Sequence, residues 1–265
     1  DADVTILAME RGAIDFVTKP NNIIEAKGED FKRQLLSVLT AVYETQQWNS
    51  VHTISSLTKK KISASNNRIK AVNPGKKLVA LACSTGGPKA LQSVVPYLPK
   101  KLDAPVVIVQ HMPAGFTQSM AKRLDEISEI PVKEAQEGDR LENGHVYIAP
   151  GGRHLEVKRM ADGSHAIRLN DMPPIGGLKP CANIMYDSLT DSGYDEIVCV
   201  VLTGMGADGT NGILSLEKSK PIHVIAQDAK SCVVYGMPKA IAEAGVVDEV
   251  VSLDQVAKTI TKNVG

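Results

Sequence analysis

The chain has 265 residues, of which 43% are hydrophobic and 23% charged, and its 30 basic residues balance its 30 acidic ones. This length suits one or two domains with a sizeable core. A balanced charge gives no sign of a nucleic-acid partner, and no apolar run approaches the roughly 20 residues that a membrane-spanning helix needs. The N-terminal run DADVTILAMERG carries acids where a signal peptide is basic, so we expect a cytoplasmic protein with no membrane insertion.

The cysteines and histidines give no metal-binding pattern. No C-x-x-C pair and no H-x-x-x-H pair occurs in the sequence. Neither a zinc site nor a disulfide framework is therefore indicated, and we expect no metal and no cofactor.

Residues 1–48 predict a short helix, a strand over AIDFVTKP (13–20) and a longer helix. In the second helix the apolar residues recur at the spacing of one helical face. They are Phe31, Leu35, Val38, Leu39 and Val42. Forty-eight residues cannot bury a core large enough to fold alone, so this region is expected to be part of something larger.

Residues 49–75 are rich in Ser, Asn and Lys, with Lys-Lys-Lys at 59–61. This composition predicts a solvated basic linker. The alternative is a basic docking segment for an acidic partner.

From residue 76 onward, short apolar runs alternate with helical stretches. The runs cover 78–83, 105–110, 145–150, 197–203 and 223–226, and an Asp162-Gly163 turn joins two further strand-like segments. Runs buried on both faces and separated by helices predict an α/β fold. We expect a doubly wound, mostly parallel sheet with helices on both faces and an added β-hairpin.

Three polar residues follow strands of this predicted sheet. Ser84 comes directly after LVALAC, His111 after VVIVQ, and Asp208 lies in the loop after IVCVVLT. The carboxyl ends of parallel strands meet at one edge, where sites of open α/β sheets form. A serine hydroxyl needs a base to become a nucleophile, and a histidine needs a carboxylate to fix its tautomer. The three residues can therefore form a catalytic triad.

Each of the three residues also has a structural interpretation. A serine before Gly-Gly is often a helix N-cap, a histidine after a strand is often a hydrogen-bonded structural residue, and an Asp in Gly-Ala-Asp-Gly is often a turn residue. The G-x-S-x-G turn of α/β-hydrolases is absent, because the serine stands in Ala-Cys-Ser-Thr-Gly-Gly. Spacing alone leaves the triad a plausible guess.

A second motif suggests an alternative, a nucleotide-binding regulatory module. Gly204, Gly206 and Gly209 fit G-x-G-x-x-G after an apolar run, and Asp228 follows at 19 residues. Asp208 would bring a negative charge towards the pyrophosphate, which opposes this interpretation. The motif also follows a late strand, whereas the fingerprint normally opens the nucleotide-binding unit.

Five segments together resemble the chemotaxis protein-glutamate methylesterases of the CheB type. They are ACSTGGP (82–88), QHMPAGF (110–116), YIAPGGRH (147–154), LTGMGADG (202–209) and QDAKSCVVYGMPKAI (227–241). The resemblance implies hydrolysis of glutamate methyl esters on bacterial chemoreceptors with release of methanol, and in many members deamidation of receptor glutamines. It makes residues 76–265 the methylesterase catalytic domain.

The resemblance also assigns roles to individual residues. It makes Ser84 the nucleophile, His111 the base and Asp208 the acid that orients the base. It places the loop at Met205 beside the oxyanion. The backbone N–H of Thr85 follows the nucleophile and is a further candidate donor. We expect Gly86, Gly87 and Met112 in the loops of the substrate site.

Residues 1–48 resemble the C-terminal end of a response-regulator receiver domain, with Lys19 at the position of the lysine that contacts the phosphoryl group. The resemblance implies two partners: methylated cytoplasmic domains of chemoreceptors, and a histidine kinase acting through the missing part of the receiver. We expect a truncated protein whose remnant hardly closes the active site. Deleting residues 1–75 should then change the rate less than about threefold.

The chain departs from the family pattern at three places. Cys181-Ala182-Asn183 stands where the family reads Ser-x-Asp, Met185-Tyr186 replaces a Leu-Phe pair, and Thr210 replaces an alanine. We expect these departures to affect substrate preference and not the reaction.

Overall fold

The computed structural model describes residues 2–43, apart from positions 21, 30, 34, 37 and 41, and residues 75–265. The predicted linker over 49–75 lies outside the described residues except for Gly75. No helix in the described part of the chain is long and apolar enough to cross a membrane.

The N-terminal region contains helix α1 (Ala2–Glu10) and helix α2 (Ile23–Lys27), and the described residues of 31–43 are helical. The strand predicted over 13–20 is wrong, because these residues form neither helix nor strand. A strand needs a neighbour to accept and donate backbone hydrogen bonds, and residues 13–20 pair with no strand among the described residues.

Residues 77–251 contain a seven-stranded sheet in which every paired strand is parallel. Its strands are β1 (Lys77–Cys83), β2 (Val106–Gln110), β3 (Val132–Glu134), β4 (Val146–Ile148), β7 (Glu196–Val201), β8 (Ile222–Gln227) and β9 (Glu249–Val251). The strands lie in the order β3-β4-β2-β1-β7-β8-β9, so β1 is central, between β2 and β7.

Helices cover both faces of this sheet. They are α3 (Gly87–Val94), α4 (Phe116–Ile127), α5 (Ala182–Ser188), α6 (Thr210–Glu217), α7 (Met237–Glu243) and α8 (Val256–Val264). Alternate residues of β1 point into two separate cores, Leu81 into the core with α1, α3, α4 and α8, and Ala80 into the core with α5, α6 and α7. The prediction of a doubly wound parallel sheet is confirmed.

The added hairpin is also confirmed. Strands β5 (His154–Arg159) and β6 (His165–Asn170) pair antiparallel and form a second sheet. Their turn places Gly163 at φ +78°, a backbone conformation that glycine adopts without steric cost. The apolar side chains of the hairpin pack into the core shared with α5, α6 and α7.

Candidate active site

The three predicted residues converge at the carboxyl edge of the sheet. Ser84 follows the central strand β1, His111 follows β2 on one side, and the loop that carries Asp208 follows β7 on the other. Strand register aligns these ends, since Cys83 lies opposite Gln110 and Ala82 opposite Val201. The strand that precedes Ser84 therefore lies between the strands that precede His111 and the Asp208 loop.

The turn after β1 holds Ser84 directly in front of α3. The Ser84 N–H donates to the carbonyl of Thr203 at 3.0 Å, and its carbonyl accepts from the Gly87 N–H at 2.7 Å. Gly86 has φ +78°, and a Cβ there would lie 2.6 Å from the Cβ of Val233. The turn thus needs a glycine at this position, both for its backbone angle and for the space.

Gln110 ties the serine turn to the histidine turn, and the sequence analysis did not identify it. Its side chain is buried and donates from Nε2 to the carbonyls of Ser84 at 3.0 Å and His111 at 3.2 Å. Its Oε1 accepts from the Cys83 thiol at 3.0 Å. A Cβ at Gly87 would overlap this Oε1. The one signal in the sequence is an amide residue at the end of a wholly apolar strand.

The imidazole of His111 is hydrogen-bonded to the carboxylate of Asp208. Nε2 of His111 lies 2.7 Å from Oδ2 of Asp208, and the two side chains are only 7% and 5% exposed. An ionised carboxylate can only accept, so Nε2 carries the proton of the neutral imidazole. Nδ1 is therefore the ring nitrogen that carries the lone pair.

The Asp208 carboxylate receives hydrogen bonds from three backbone amides as well. Ala182 N–H donates to Oδ2 at 2.6 Å, and the N–H groups of Asn183 and Gly209 donate to Oδ1 at 3.1 and 2.9 Å. Burial raises the pKa of this carboxyl, but hydrogen bonds and the His111 charge outweigh burial and lower the pKa to about 2. Asp208 is consequently a fixed anion at neutral pH.

The residues Cys181-Ala182-Asn183, which differ from the family pattern, contact this same carboxylate. The Cys181 thiol donates to Asp208 Oδ1 at 3.2 Å. The Asn183 side chain accepts at Oδ1 from the N–H groups of Gly209 and Gly212, at 3.1 and 2.8 Å. These residues hold the acid that orients His111, so their effect is expected on the reaction and not chiefly on substrate preference.

In the loop after β7, the Gly204 N–H donates to the Val234 carbonyl at 3.0 Å and is therefore already bonded. The family resemblance places the loop at Met205 beside the oxyanion. Thr85 is positioned by its carbonyl, which accepts from Thr203 Oγ1 at 3.0 Å. Met112 is 6% exposed and packs in the core on the side of α3 and α4.

The N-terminal residues reach this site. The Thr85 hydroxyl donates to Asp15 Oδ2 at 2.6 Å, and the rings of Phe16 and Phe116 lie 4.4 Å apart. Burial raises the pKa of Asp15, although its hydrogen bonds oppose that shift. The carboxyl group of Asp15 therefore contacts Thr85, the residue that directly follows the candidate nucleophile Ser84.

The nucleotide-binding alternative rests on the loop over 204–209 and the helix that follows it, where glycine N–H groups already donate hydrogen bonds to protein side chains. A dinucleotide site uses the free N–H groups at a helix N-terminus to bind phosphate. At the start of α6, the N–H groups of Gly209 and Gly212 donate to Asn183, and Gly209 also donates to Asp208. These two glycine N–H groups are therefore already bonded to protein groups, and the Asp208 carboxylate opposes the charge of a pyrophosphate.

Residues 79–260 match the family model of the CheB methylesterase domain. The chain belongs to the CheB methylesterase family. It is 42% identical over 264 residues to a protein-glutamate methylesterase/protein-glutamine glutaminase of Pyrococcus horikoshii, covering 99% of this chain and 70% of the relative. It is 39% identical over 269 residues to the Bacillus subtilis protein of the same name, covering 98% and 73%.

A solved structure agrees with these relatives. The CheB methylesterase catalytic domain of Thermotoga maritima matches with a TM-score of 0.68 and 40% identity, over 71% of this chain and 98% of that domain. The sheet order and the hairpin described above are therefore those of a CheB methylesterase family member.

Proposed function

We propose that this CheB family chain is a serine hydrolase that removes methyl groups from glutamate methyl esters on bacterial chemoreceptors and also deamidates receptor glutamines. One observation supports it above others: the buried His111–Asp208 pair, 2.7 Å apart, at the sheet edge where Ser84 follows the central strand. The relatives named above carry this activity in their names.

In this proposal Ser84 Oγ attacks the ester carbonyl while its proton passes to Nδ1 of His111. The imidazolium that forms is stabilised by Asp208, whose carboxylate is already fixed by backbone amides. The N–H of Thr85 and one from Met205 or Gly206 stabilise the oxyanion.

The leaving methoxide then takes the proton from His111 and departs as methanol. The acyl-enzyme is hydrolysed by a water molecule that His111 deprotonates, which restores Ser84 and releases glutamate. With a glutamine substrate the same steps release ammonia. Neither route needs a metal or a cofactor for its proton transfers.

The domain boundaries belong to the same proposal. Residues 1–48 are the C-terminal part of a receiver domain, 49–75 a basic linker, and 76–265 the catalytic domain. A histidine kinase acting through a receiver is the corresponding regulatory partner. The receptors' cytoplasmic domains are the substrate, which places the enzyme in the cytoplasm.

Methanol release from a methylated receptor fragment tests the function. We expect Ser84→Ala and His111→Ala to lose on the order of 10⁴-fold or more in rate, and Asp208→Asn somewhat less. A fluorophosphonate probe should label Ser84 in the unmodified enzyme. More than roughly a tenth of the activity left in Ser84→Ala would refute the nucleophile, and saturable NAD binding without labelling would favour the nucleotide module.

A further inference from the structure

Among the residues that the structure describes, the Asp208 carboxylate has one side-chain donor besides His111, and it is a thiol. Cys181 Sγ lies 3.2 Å from Asp208 Oδ1 and the residue is 1% exposed. Cys181 directly precedes α5 and is its N-cap residue. A cysteine in this place would otherwise be a small apolar residue, so its contact with a buried anion needs an explanation.

The thiol is a donor, not a nucleophile. Burial, followed by the nearby charge of Asp208, raises the pKa of Cys181 to about 12. The proton therefore stays on sulfur throughout the neutral range. A protonated thiol can donate one weak hydrogen bond, and Asp208 Oδ1 is the acceptor it reaches.

The two carboxylate oxygens are held by different groups. Oδ2 accepts hydrogen bonds from His111 Nε2 and from the Ala182 N–H. Oδ1 accepts hydrogen bonds from the Cys181 thiol and from the N–H groups of Asn183 and Gly209. Besides His111 and Cys181, the titratable group that senses the Asp208 charge is the buried Tyr186. The thiol thus acts on the oxygen that does not face the base, where it can fix the rotation of the carboxylate.

We propose that Cys181 is a positioning residue for the esterase reaction: its thiol hydrogen bond fixes the Asp208 carboxylate so that Oδ2 stays on His111 Nε2. This inference rests on the proposed function for its kinetic consequence, but the hydrogen bond itself can be tested without turnover. Cys181 touches neither the substrate nor the reacting atoms, and it acts through Asp208.

Three variants separate the effect of losing the thiol hydrogen bond from the effect of losing buried side-chain packing. Cys181→Ala removes the donor and the sulfur, Cys181→Ser keeps a donor of smaller size, and Cys199→Ala removes another fully buried thiol, from the sheet interior, as a matched control. We expect Cys181→Ala to lower kcat roughly three- to tenfold with KM unchanged, because an orienting hydrogen bond to a charged group is lost. Cys181→Ser should recover most of kcat, and Cys199→Ala should keep it while losing comparable thermal stability.

A spectroscopic measurement completes the test in the resting enzyme. The proton on His111 Nε2 bonds the Asp208 carboxylate, and its low-field ¹H resonance should move in Cys181→Ala and return towards the original position in Cys181→Ser. If serine fails to restore kcat and the resonance, or if Cys199→Ala changes both as much, the proposal is overturned. An inactive parent enzyme with the resonance shift intact would refute the proposed function and leave the positioning contact standing.

Discussion

At the scale of single residues, Asp208 links the site to stability. Its pKa is lowered to about 2 in the folded protein, against about 3.9 in an unfolded chain. A carboxyl with a lowered folded pKa stabilises the native state above its unfolded pKa, and this contribution is lost as pH falls from about 4 through about 2. At neutral pH it is on the order of 2 kcal/mol.

The loss of this stabilisation at low pH gives a prediction for Asp208→Asn. Asp208→Asn should unfold at lower urea concentration than the parent at pH 6, and the difference between the two proteins should shrink as the pH is lowered towards 2.5. Urea titrations followed by circular dichroism at four or five pH values measure it. A stability difference that stays constant over this range would show that the Asp208 charge does not stabilise the fold.

The tautomer of His111 is a second residue-scale prediction. Because His111 Nε2 is hydrogen-bonded to the Asp208 carboxylate, the neutral ring should carry its proton on Nε2 and leave Nδ1 unprotonated. Serine-protease triads use the opposite assignment, with Nδ1 on the aspartate. Two-dimensional ¹⁵N–¹H spectra of histidine-labelled protein above pH 8 distinguish the two. A pyrrole-type signal at Nδ1 would contradict the arrangement, and His111→Gln identifies the resonance.

At the scale of elements, the junction of β1, α3 and β2 depends on one glycine. Gly87 is the first residue of α3, where alanine would ordinarily favour the helix by about 1 kcal/mol. Its Cβ would overlap Gln110 Oε1, the atom that accepts from Cys83. Gly87→Ala should instead destabilise the protein by about 2 kcal/mol and lower kcat, because Gln110 must release its bonds to the two turns.

A double-mutant cycle checks this contact. Gln110→Ala alone should also lower stability, and Gly87→Ala in the Gln110→Ala background should cost much less than it does alone, because the overlap is gone. The free energy of unfolding and kcat are measured for all four proteins. Additive effects would mean that Gly87 and Gln110 do not interact.

The elements that the sequence predicted are those with continuous apolar runs. The central strands are buried on both faces, so the runs over 78–83, 105–110 and 197–203 mark them clearly. Strands β3 and β9 were not predicted, since each has three residues and carries charged side chains at the edge of the sheet. Helix α5 has seven residues and no capping side chain, which leaves little pattern to detect.

The residues of the site also divide into those that the sequence could predict and those that it could not. Convergence of Ser84, His111 and the Asp208 loop follows from parallel strands alone, so the sequence could predict it. The roles of Gln110 and Cys181 could not be predicted, because they arise from how neighbouring turns pack against each other and not from the order of the strands. The strand predicted over 13–20 has β-like composition but no partner strand in the described part of the chain, and pairing decides whether a strand forms.

At the scale of the whole molecule, helix α1 and the residues Asp15 and Phe16 pack against the catalytic region. Ile6 and Met9 are each 2% exposed and belong to the core that contains α3 and α4. Burying each such side chain contributes about 1.5–3 kcal/mol. Glu10 adds an ion pair with Arg123 at 2.8 Å, which is partly exposed and contributes less. We therefore expect the N-terminal residues to be packed against the catalytic region in most molecules.

This docking changes the expectation drawn from sequence that deleting residues 1–75 affects the rate less than threefold. Because Asp15 accepts a hydrogen bond from Thr85 and Phe16 packs against Phe116, we expect a receptor segment that approaches Ser84 to displace these N-terminal residues. A carboxylate beside the nucleophile also opposes the negative charge that develops on the oxyanion. We now expect the deletion to raise kcat/KM for methanol release by about three- to tenfold, and Asp15→Ala to give part of that increase.

Glu10→Ala is the matched control, because it removes an acidic group from the same N-terminal region without touching Thr85. It should change kcat/KM less than Asp15→Ala, whereas both variants should keep the fold. Methanol release from a methylated receptor fragment, measured at equal enzyme concentration, compares the four proteins. If the deletion leaves kcat/KM unchanged, substrate reaches Ser84 without displacing Asp15, and the contact with Thr85 has no part in access to the site.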